Sequence, residues 1–191
     1  MYYFLSSSTP EPYQKVVRIS YDSKLLVTGG DDGILRVWTF PDLNAVHEIE
    51  AHNKEIDDIE ISPDNSKAVS ISKDGRSLVW DFKKGKKHAE MGWDPPGKVK
   101  YLYKRIRFGR IEGDAKRYKV FTISNPVGAS KPPAFLHRWD PKSFTIEQSL
   151  EVHGSLSALA VSDNGNFVAT GSMFDGTVEI YTAFNLMVKI I

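Results

Sequence analysis

The segment Ile19-Ser20-Tyr21-Asp22, with Thr28-Gly29-Gly30-Asp31-Asp32-Gly33 and Val37-Trp38 after it, recurs as Ile61-Ser62-Pro63-Asp64, Ser70-Ile71-Ser72-Lys73-Asp74-Gly75 and Val79-Trp80. The offset is a constant 42 residues, from Asp32 to Asp74 and from Trp38 to Trp80. A further copy, Val161-Ser162-Asp163-Asn164, Thr170-Gly171-Ser172-Met173-Phe174-Asp175-Gly176 and Ile180-Tyr181, lies 100 residues beyond the second (Ser62 to Ser162), with one residue inserted in its turn. Between them falls a loosened copy, Tyr118-Lys119-Val120-Phe121-Thr122-Ile123, a Pro/Gly-containing loop through Pro133, and Phe135-Leu136-His137-Arg138-Trp139-Asp140. A chain organised this way is built from stacked copies of one small unit, because no single unit can bury its own apolar face.

A period near 42 with short β-branched and aliphatic runs, such as Leu25-Leu26-Val27 and Ile34-Leu35-Arg36-Val37-Trp38, predicts four strands per unit. Helical periodicity is nowhere sustained. Asp32-Gly33, Asp74-Gly75 and Asp175-Gly176 predict hairpin turns, where glycine takes the positive φ that other residues resist. Trp38, Trp80, Trp139 and Tyr181 fall at the ends of third strands, where a large aromatic covers the unit's core. The fold class read from these features is all-β, a β-propeller of about four blades spanning 13–53, 54–97, 98–153 and 154–191 after an N-terminal extension at 1–12.

Composition narrows the function. Lys and Arg total 25 against 24 Asp and Glu, so no global field draws the chain to nucleic acid or an anionic membrane. The absence of cysteine excludes disulfides, thiolate metal sites and thiol nucleophiles. No window reaches about 18 consecutive apolar residues, and Met1-Tyr2-Tyr3-Phe4-Leu5 lacks the charged start of a secretion signal, so the chain by itself is expected to be soluble and cytoplasmic.

Gly29 through Trp38, and Ala51-His52 with Asp74 and Trp80-Asp81, resemble WD repeats. In that family a loop His, a turn Asp, a strand Ser or Thr and the Trp form a hydrogen-bonded ladder. The resemblance implies structural roles for Thr28, Asp32 and Trp38, for His52, Ser70, Asp74 and Trp80, for Trp139, and for His153, Thr170, Asp175 and Tyr181. A narrower resemblance rests on Tyr103-Lys104-Arg105-Ile106-Arg107-Phe108-Gly109-Arg110, on His137-Arg138-Trp139-Asp140 and on Gly176 through Phe184. In these the chain is similar, in order from about Tyr13 to Ile191, to the animal form of the endoplasmic-reticulum exchange factors that load GTP onto the Sar-type GTPase of the COPII coat. The resemblance implies guanine nucleotide exchange, a Sar-type GTPase as partner and a seven-bladed parent on the cytosolic face of the endoplasmic reticulum. In that family a glycine-rich loop associated with a potassium ion precedes the matched region, and the membrane anchor follows it. The chain is therefore expected to be a fragment of such a factor, with no exchange-active residue assigned to it and no cofactor of its own.

Enzyme-like constellations have structural readings. His52, Ser70 and Asp74 include the residue types of a hydrolase triad, yet His153, Thr170 and Asp175 fill the corresponding places in the last repeat, and a catalytic triad has no reason to recur. Gly92-Trp93-Asp94-Pro95-Pro96-Gly97-Lys98-Val99 approaches a phosphate-binding loop but ends in Val99 where a hydroxyl is needed, and its prolines remove backbone donors. The pairs Asp31-Asp32 and Asp57-Asp58 are read as turn chemistry or solvated carboxylates. No catalytic, cofactor-binding or metal-ligating residue and no small-molecule substrate is expected.

Lys98, Lys100, Lys104, Arg105, Arg107 and Arg110, interleaved with Tyr101, Tyr103 and Phe108, form the one local patch that could meet a partner. The competing reading is a solvated strand edge with its aromatics turned inward. Two other functions stand beside exchange: a non-catalytic protein-interaction scaffold, and a DNA-binding regulator, against which the balanced charge counts.

Overall fold

The structure, a computed structural model, describes residues 12–95, 97, 99–111, 114–128 and 133–189. Among these, every regular element is a β-strand. Blade one is β1 (Gln14–Ile19), β2 (Leu25–Gly30), β3 (Ile34–Thr39) and β4 (Ala45–Glu50). Blade two is β5 (Ile56–Ile61), β6 (Ala68–Ser72), β7 (Ser77–Asp81) and β8 (Lys86–Glu90). Blade three is β9 (Tyr101–Ile111), β10 (Asp114–Pro126), β11 (Ala134–Trp139) and β12 (Ile146–Val152). Blade four is β13 (Leu156–Val161), β14 (Phe167–Ser172), β15 (Val178–Thr182) and β16 (Val188–Lys189). Each is an antiparallel meander in chain order. The first strands meet in succession, β1 against β5, β5 against β9 and β9 against β13, as the inner strands of propeller blades do.

Local chemistry sets the turns. Gly33 has φ +76, and a Cβ there would come within 2.3 Å of the His52 carbonyl, so both conformation and space require glycine. The Asp before it accepts a hydrogen bond from the amide two residues on, at Asp32 to Ile34 (3.0 Å), Asp74 to Arg76 (2.8 Å) and Asp175 to Thr177 (3.1 Å). The opposite end of each regular blade repeats a second device. Ser20, Ser62 and Ser162 donate to Asp22, Asp64 and Asn164 at 2.6, 2.6 and 2.8 Å, and their hydroxyls accept the amides of Leu25, Lys67 and Phe167.

Packing then joins the sheets. The aromatic-bearing face of each later blade turns toward the blade before it. Ile59, Leu78 and Trp80 pack with Val27, Leu35 and Val37. Tyr103, Ile106 and Trp139 pack with Val69, Ile71 and Val79. Leu159, Val168 and Tyr181 pack with Phe121, Ile123 and Leu136. Full burial of an aliphatic side chain contributes roughly 1.5–3 kcal/mol against about 1 kcal/mol for a neutral hydrogen bond, so these three seams dominate stability.

Asp58 fixes how three blades align at the inner strands. It is buried at a register shift in β5 and accepts from Arg18 Nη2 of β1 (3.0 Å), Arg107 Nη1 of β9 (2.7 Å) and the Ile106 amide of β9 (3.2 Å). Glu60 joins the same network, 3.2 Å from Arg18 and 3.4 Å from Arg107. This corrects the reading of Asp57-Asp58 as turn or solvated carboxylates: β5 is an inner strand, so its side chains meet the strands on either side. Replacing Asp58 with Ala removes the common acceptor of two guanidiniums and a buried amide, and is expected to lower unfolding free energy by about 2–4 kcal/mol in chemical denaturation. Asp57→Ala, which removes a carboxylate 3.6 Å from Lys15, should change it by under about 1 kcal/mol.

Candidate functional site

The residues singled out by the repeat come together most completely in blade two. His52 precedes β5, Ser70 lies on β6, Asp74 in the following turn and Trp80 on β7. The Trp80 indole donates to Ser70 Oγ at 2.8 Å, and the His52 ring bridges Ser70 Oγ (2.8 Å, Nε2) and Asp74 Oδ2 (3.0 Å, Nδ1). Burial pulls the imidazole pKa below its ordinary value despite the neighbouring carboxylate. A neutral ring fits one consistent assignment, in which Nδ1–H donates to Asp74 and Nε2 accepts the Ser70 hydroxyl proton. Asp74 resists the upward pull of its own burial because the Arg76 amide, His52 and the Asn53 amide hold its carboxyl low. Ser70 has no exposed surface and its oxygen already receives the indole proton, so the three triad residue types form a tie between loop, turn and strand that no substrate can reach.

The other blades hold parts of this arrangement. Trp38 donates to Thr28 Oγ1 (3.2 Å) and Trp139 to Thr122 Oγ1 (2.9 Å). Asp32 has Arg36 as its partner, at 2.7 Å. In blade four Tyr181 is buried and donates to Glu179, while Asp175 accepts from the Thr177 amide and hydroxyl. His153 does not take the ladder position expected for it and is exposed. Val152, which stands 18 residues before Thr170 as His52 does before Ser70, takes the equivalent place and is buried, while Gly154, at φ +86, runs so close to Ser172 Oγ and Asp175 Oδ2 that a Cβ would lie 2.8 and 3.1 Å from them.

His137 was not among the residues expected to form a ladder, yet it is the most deeply placed histidine. It sits on β11 with no exposed surface, held by Ser124 (3.0 Å) and Ser149 (2.7 Å), with Phe135 stacked at 5.8 Å and Trp93 at 4.4 Å between ring centres. The only sequence signal was its alternation with buried Phe135 and Trp139 on one strand. Burial lowers its pKa to about 3.

The basic stretch disperses. Lys98, with Pro96 of the same loop, lies outside the described residues, and that loop leads into strand β9 where a phosphate-binding loop would lead into a helix. Lys100 is exposed and Lys104 half-buried. Arg105 donates to the Lys104 carbonyl (2.7 Å). Arg107 is engaged by Asp58 and Glu60, and the Arg110 guanidinium lies over the Tyr21 ring at 4.6 Å. β9 is an inner strand, so Arg107 and Arg110 join blades to one another and do not form a single outward patch with the lysines. Tyr103 and Phe108 are both buried in the seam with blade two, an odd spacing that the register shift between Tyr103 and Arg105 brings to one face. No cluster of three or more His, Asp or Glu side chains able to hold a metal ion occurs among the described residues.

Comparison with known proteins gives the repeats a family description. Residues 14–39, 43–81 and 144–182 match "WD domain, G-beta repeat". The chain is 36% identical over 183 residues to the guanine nucleotide-exchange factor SEC12 of Rattus norvegicus and equally to that of Mus musculus. These alignments take in 92% of this chain and 43% of each relative. It is 32% identical over 168 residues to SEC12-like protein 1 of Arabidopsis thaliana, covering 87% of this chain and 39% of that protein. The chain thus spans less than half the length of these relatives.

The buried histidines give stability a pH dependence. The folded state holds His137 neutral and the unfolded chain does not, so its contribution is whole above the ordinary histidine pKa and is lost as pH falls from about 6.5 toward about 3. Unfolding free energy should fall by up to about 1.4 kcal/mol per pH unit across that window on account of this group. His137→Gln is expected to remove that part of the slope, as read from denaturation curves between pH 7 and pH 4.

Proposed function

The chain belongs to the WD-repeat family, and on that premise we propose that it is part of a guanine nucleotide exchange factor for the Sar-type GTPase of the COPII coat, working at the cytosolic face of the endoplasmic reticulum. The observation that carries this reading is the 36% identity to the SEC12 exchange factors, which extends over 92% of the chain and so includes the loosened third repeat as well as the regular ones. Support also comes from what the side chains are engaged in. His52, Ser70 and Asp74, which resemble a catalytic group, hold loop, strand and turn together, and exchange asks for no covalent catalyst.

An exchange factor acts by preferring the nucleotide-free GTPase to the loaded one, and only that difference in affinity moves the population. Carrying an equilibrium from 1:99 to 99:1 takes about 10⁴-fold preference, or about 5.5 kcal/mol. A scaffold of packed sheets suits the task because its loops are held in place before the partner arrives. On this reading the four blades are part of the rigid body that positions the exchange surface. The potassium ion of the family stays with the glycine-rich loop that precedes the matched region. Among the described residues no helix is long and apolar enough to cross a membrane, so this reading assigns the anchor to another part of the protein.

Release of a fluorescent guanine nucleotide from the purified coat GTPase tests this, with the complete cytosolic protein and with this chain in parallel. The complete protein should accelerate release at least tenfold. If it leaves the rate unchanged while still capturing other proteins, the chain belongs to an interaction scaffold and not to an exchange factor.

A further inference from the structure

We propose that the cavity between blades two and three is a docking site for one proline of a partner's extended segment. Its volume is about 180 Å³, and Met91, Trp93, Tyr101, Tyr103 and Ser124 line it. It has the room of about six waters, enough for one side chain but not for a drug-sized ligand.

The cavity exists because the loosened repeat fills this corner differently. In blade two, residues 51–55 lead from β4 to β5, and His52 among them closes on Ser70 and Asp74. In blade three the longer segment 91–100 leads from β8 to β9 and carries no histidine. Trp93 of this loop packs on β9 and β11, with ring centres 4.4 Å from His137, 4.9 Å from Phe135 and 5.0 Å from Tyr101. The register shift between Tyr103 and Arg105 turns Tyr103 into the seam with blade two, where 7% of it stays exposed.

The Tyr103 hydroxyl is the observation that points to an occupant. Among the described residues, neither it nor the Trp93 indole N–H has a hydrogen-bond partner. The side-chain atoms there that lack a partner and are also sealed from solvent are Arg36 Nη1 and Ser172 Oγ, so the Tyr103 oxygen keeps an opening, and the cavity is the one Tyr103 lines. The other polar groups of the wall are engaged. Tyr101 donates to the Pro133 carbonyl (3.1 Å), Ser124 pairs with His137 (3.0 Å), and Arg76 holds Glu90 through Nε and Nη2 at 3.0 and 2.8 Å. Arg76 and Glu90 are the two charged lining residues, so their pairing leaves no charge in the wall to recruit an ion. What the wall offers is two donors among aromatic faces. An ordinary residue entering here brings an N–H that needs an acceptor along with its carbonyl, whereas proline brings the carbonyl alone. Its φ is fixed beforehand, so an extended proline segment loses little entropy on docking, and aromatic-lined sites take its ring. Water fits less well, since each molecule needs about two to four polar partners and aromatic rings supply few.

The probe is a fluorescein-labelled peptide of repeated Ser-Pro-Pro, titrated into this chain and followed by anisotropy, beside the same peptide with leucine for each proline. Saturable binding of the proline peptide, about tenfold tighter than that of the leucine peptide, is expected. Tyr103→Phe removes the orphan hydroxyl and keeps the ring. It should weaken binding about 5- to 10-fold, the worth of one hydrogen bond, while the melting temperature stays level or rises. Trp93→Phe, which removes the indole N–H, should weaken binding by a similar factor. Tyr13→Phe, on an exposed tyrosine outside the cavity, should leave it unchanged. Absence of saturable binding, equal or tighter binding of the leucine peptide, or an affinity unmoved in Tyr103→Phe would overturn the proposal, and the last of these would leave the cavity to water. The outcome is independent of nucleotide exchange, so either reading can fail alone.

Discussion

A four-stranded sheet with apolar side chains on both faces has to be covered twice, and every other feature of this chain is arranged around that constraint. Blade two shows it most fully. Along β7, Leu78 and Trp80 face blade one while Val79 faces blade three, so residues adjacent in sequence serve different seams. All of β6 is buried, which is why it reads as a continuous run and not as an alternation. The outer faces of the first and last blades are different. Val17 of β1 is 54% exposed and Val178 of β15 is 69% exposed, with no blade against them among the described residues.

Hydrogen bonds choose among the ways such sheets could stack. An apolar seam is indifferent to small slips, whereas an indole N–H has to find a hydroxyl and a buried carboxylate has to find its donors. Trp80 on Ser70 and Trp139 on Thr122 tie the second strand to the third inside each blade. Asp58, taking an amide and two guanidiniums from its neighbours, ties blade to blade. The network works between strands that are far apart in sequence, with 40 residues from Asp58 to Arg18 and 49 to Arg107.

That difference in range explains what the sequence made legible. Blade order, turn positions and the aromatic of the third strand depend on residues within one repeat, and the 42-residue offset carries them directly. What lay across a seam was hidden. The basic stretch looked like a surface because nothing local says that β9 lies beside β5, where Arg107 meets Asp58. His153 resembles His52 in type but stands 17 residues before Thr170 where His52 stands 18 before Ser70, so buried Val152 takes the equivalent place. One long-range contact was written in the repeat all the same: Arg18 and Glu60 stand one offset apart, at equivalent places on adjacent inner strands, with opposite charges.

The third repeat shows what such a scaffold does with departures from its own rule. Its hairpin cannot shorten the seam it shares with blade four, since Phe121 and Ile123 are needed there, so the added length projects past the neighbour and carries its charges with it. Its third strand carries His137 where the other repeats have Arg36, Leu78 and Glu179, and two serines then satisfy both ring nitrogens because the seam admits no charge. A regular repeat has no freedom to do either, because its turn, its hydroxyl and its aromatic are all committed to holding position. Divergence is tolerated in blade three because it is covered on both sides. The most altered blade sits between two others whose faces bury it, and a surface that distinguishes this propeller from another of the same repeat can be built there without loosening the stack.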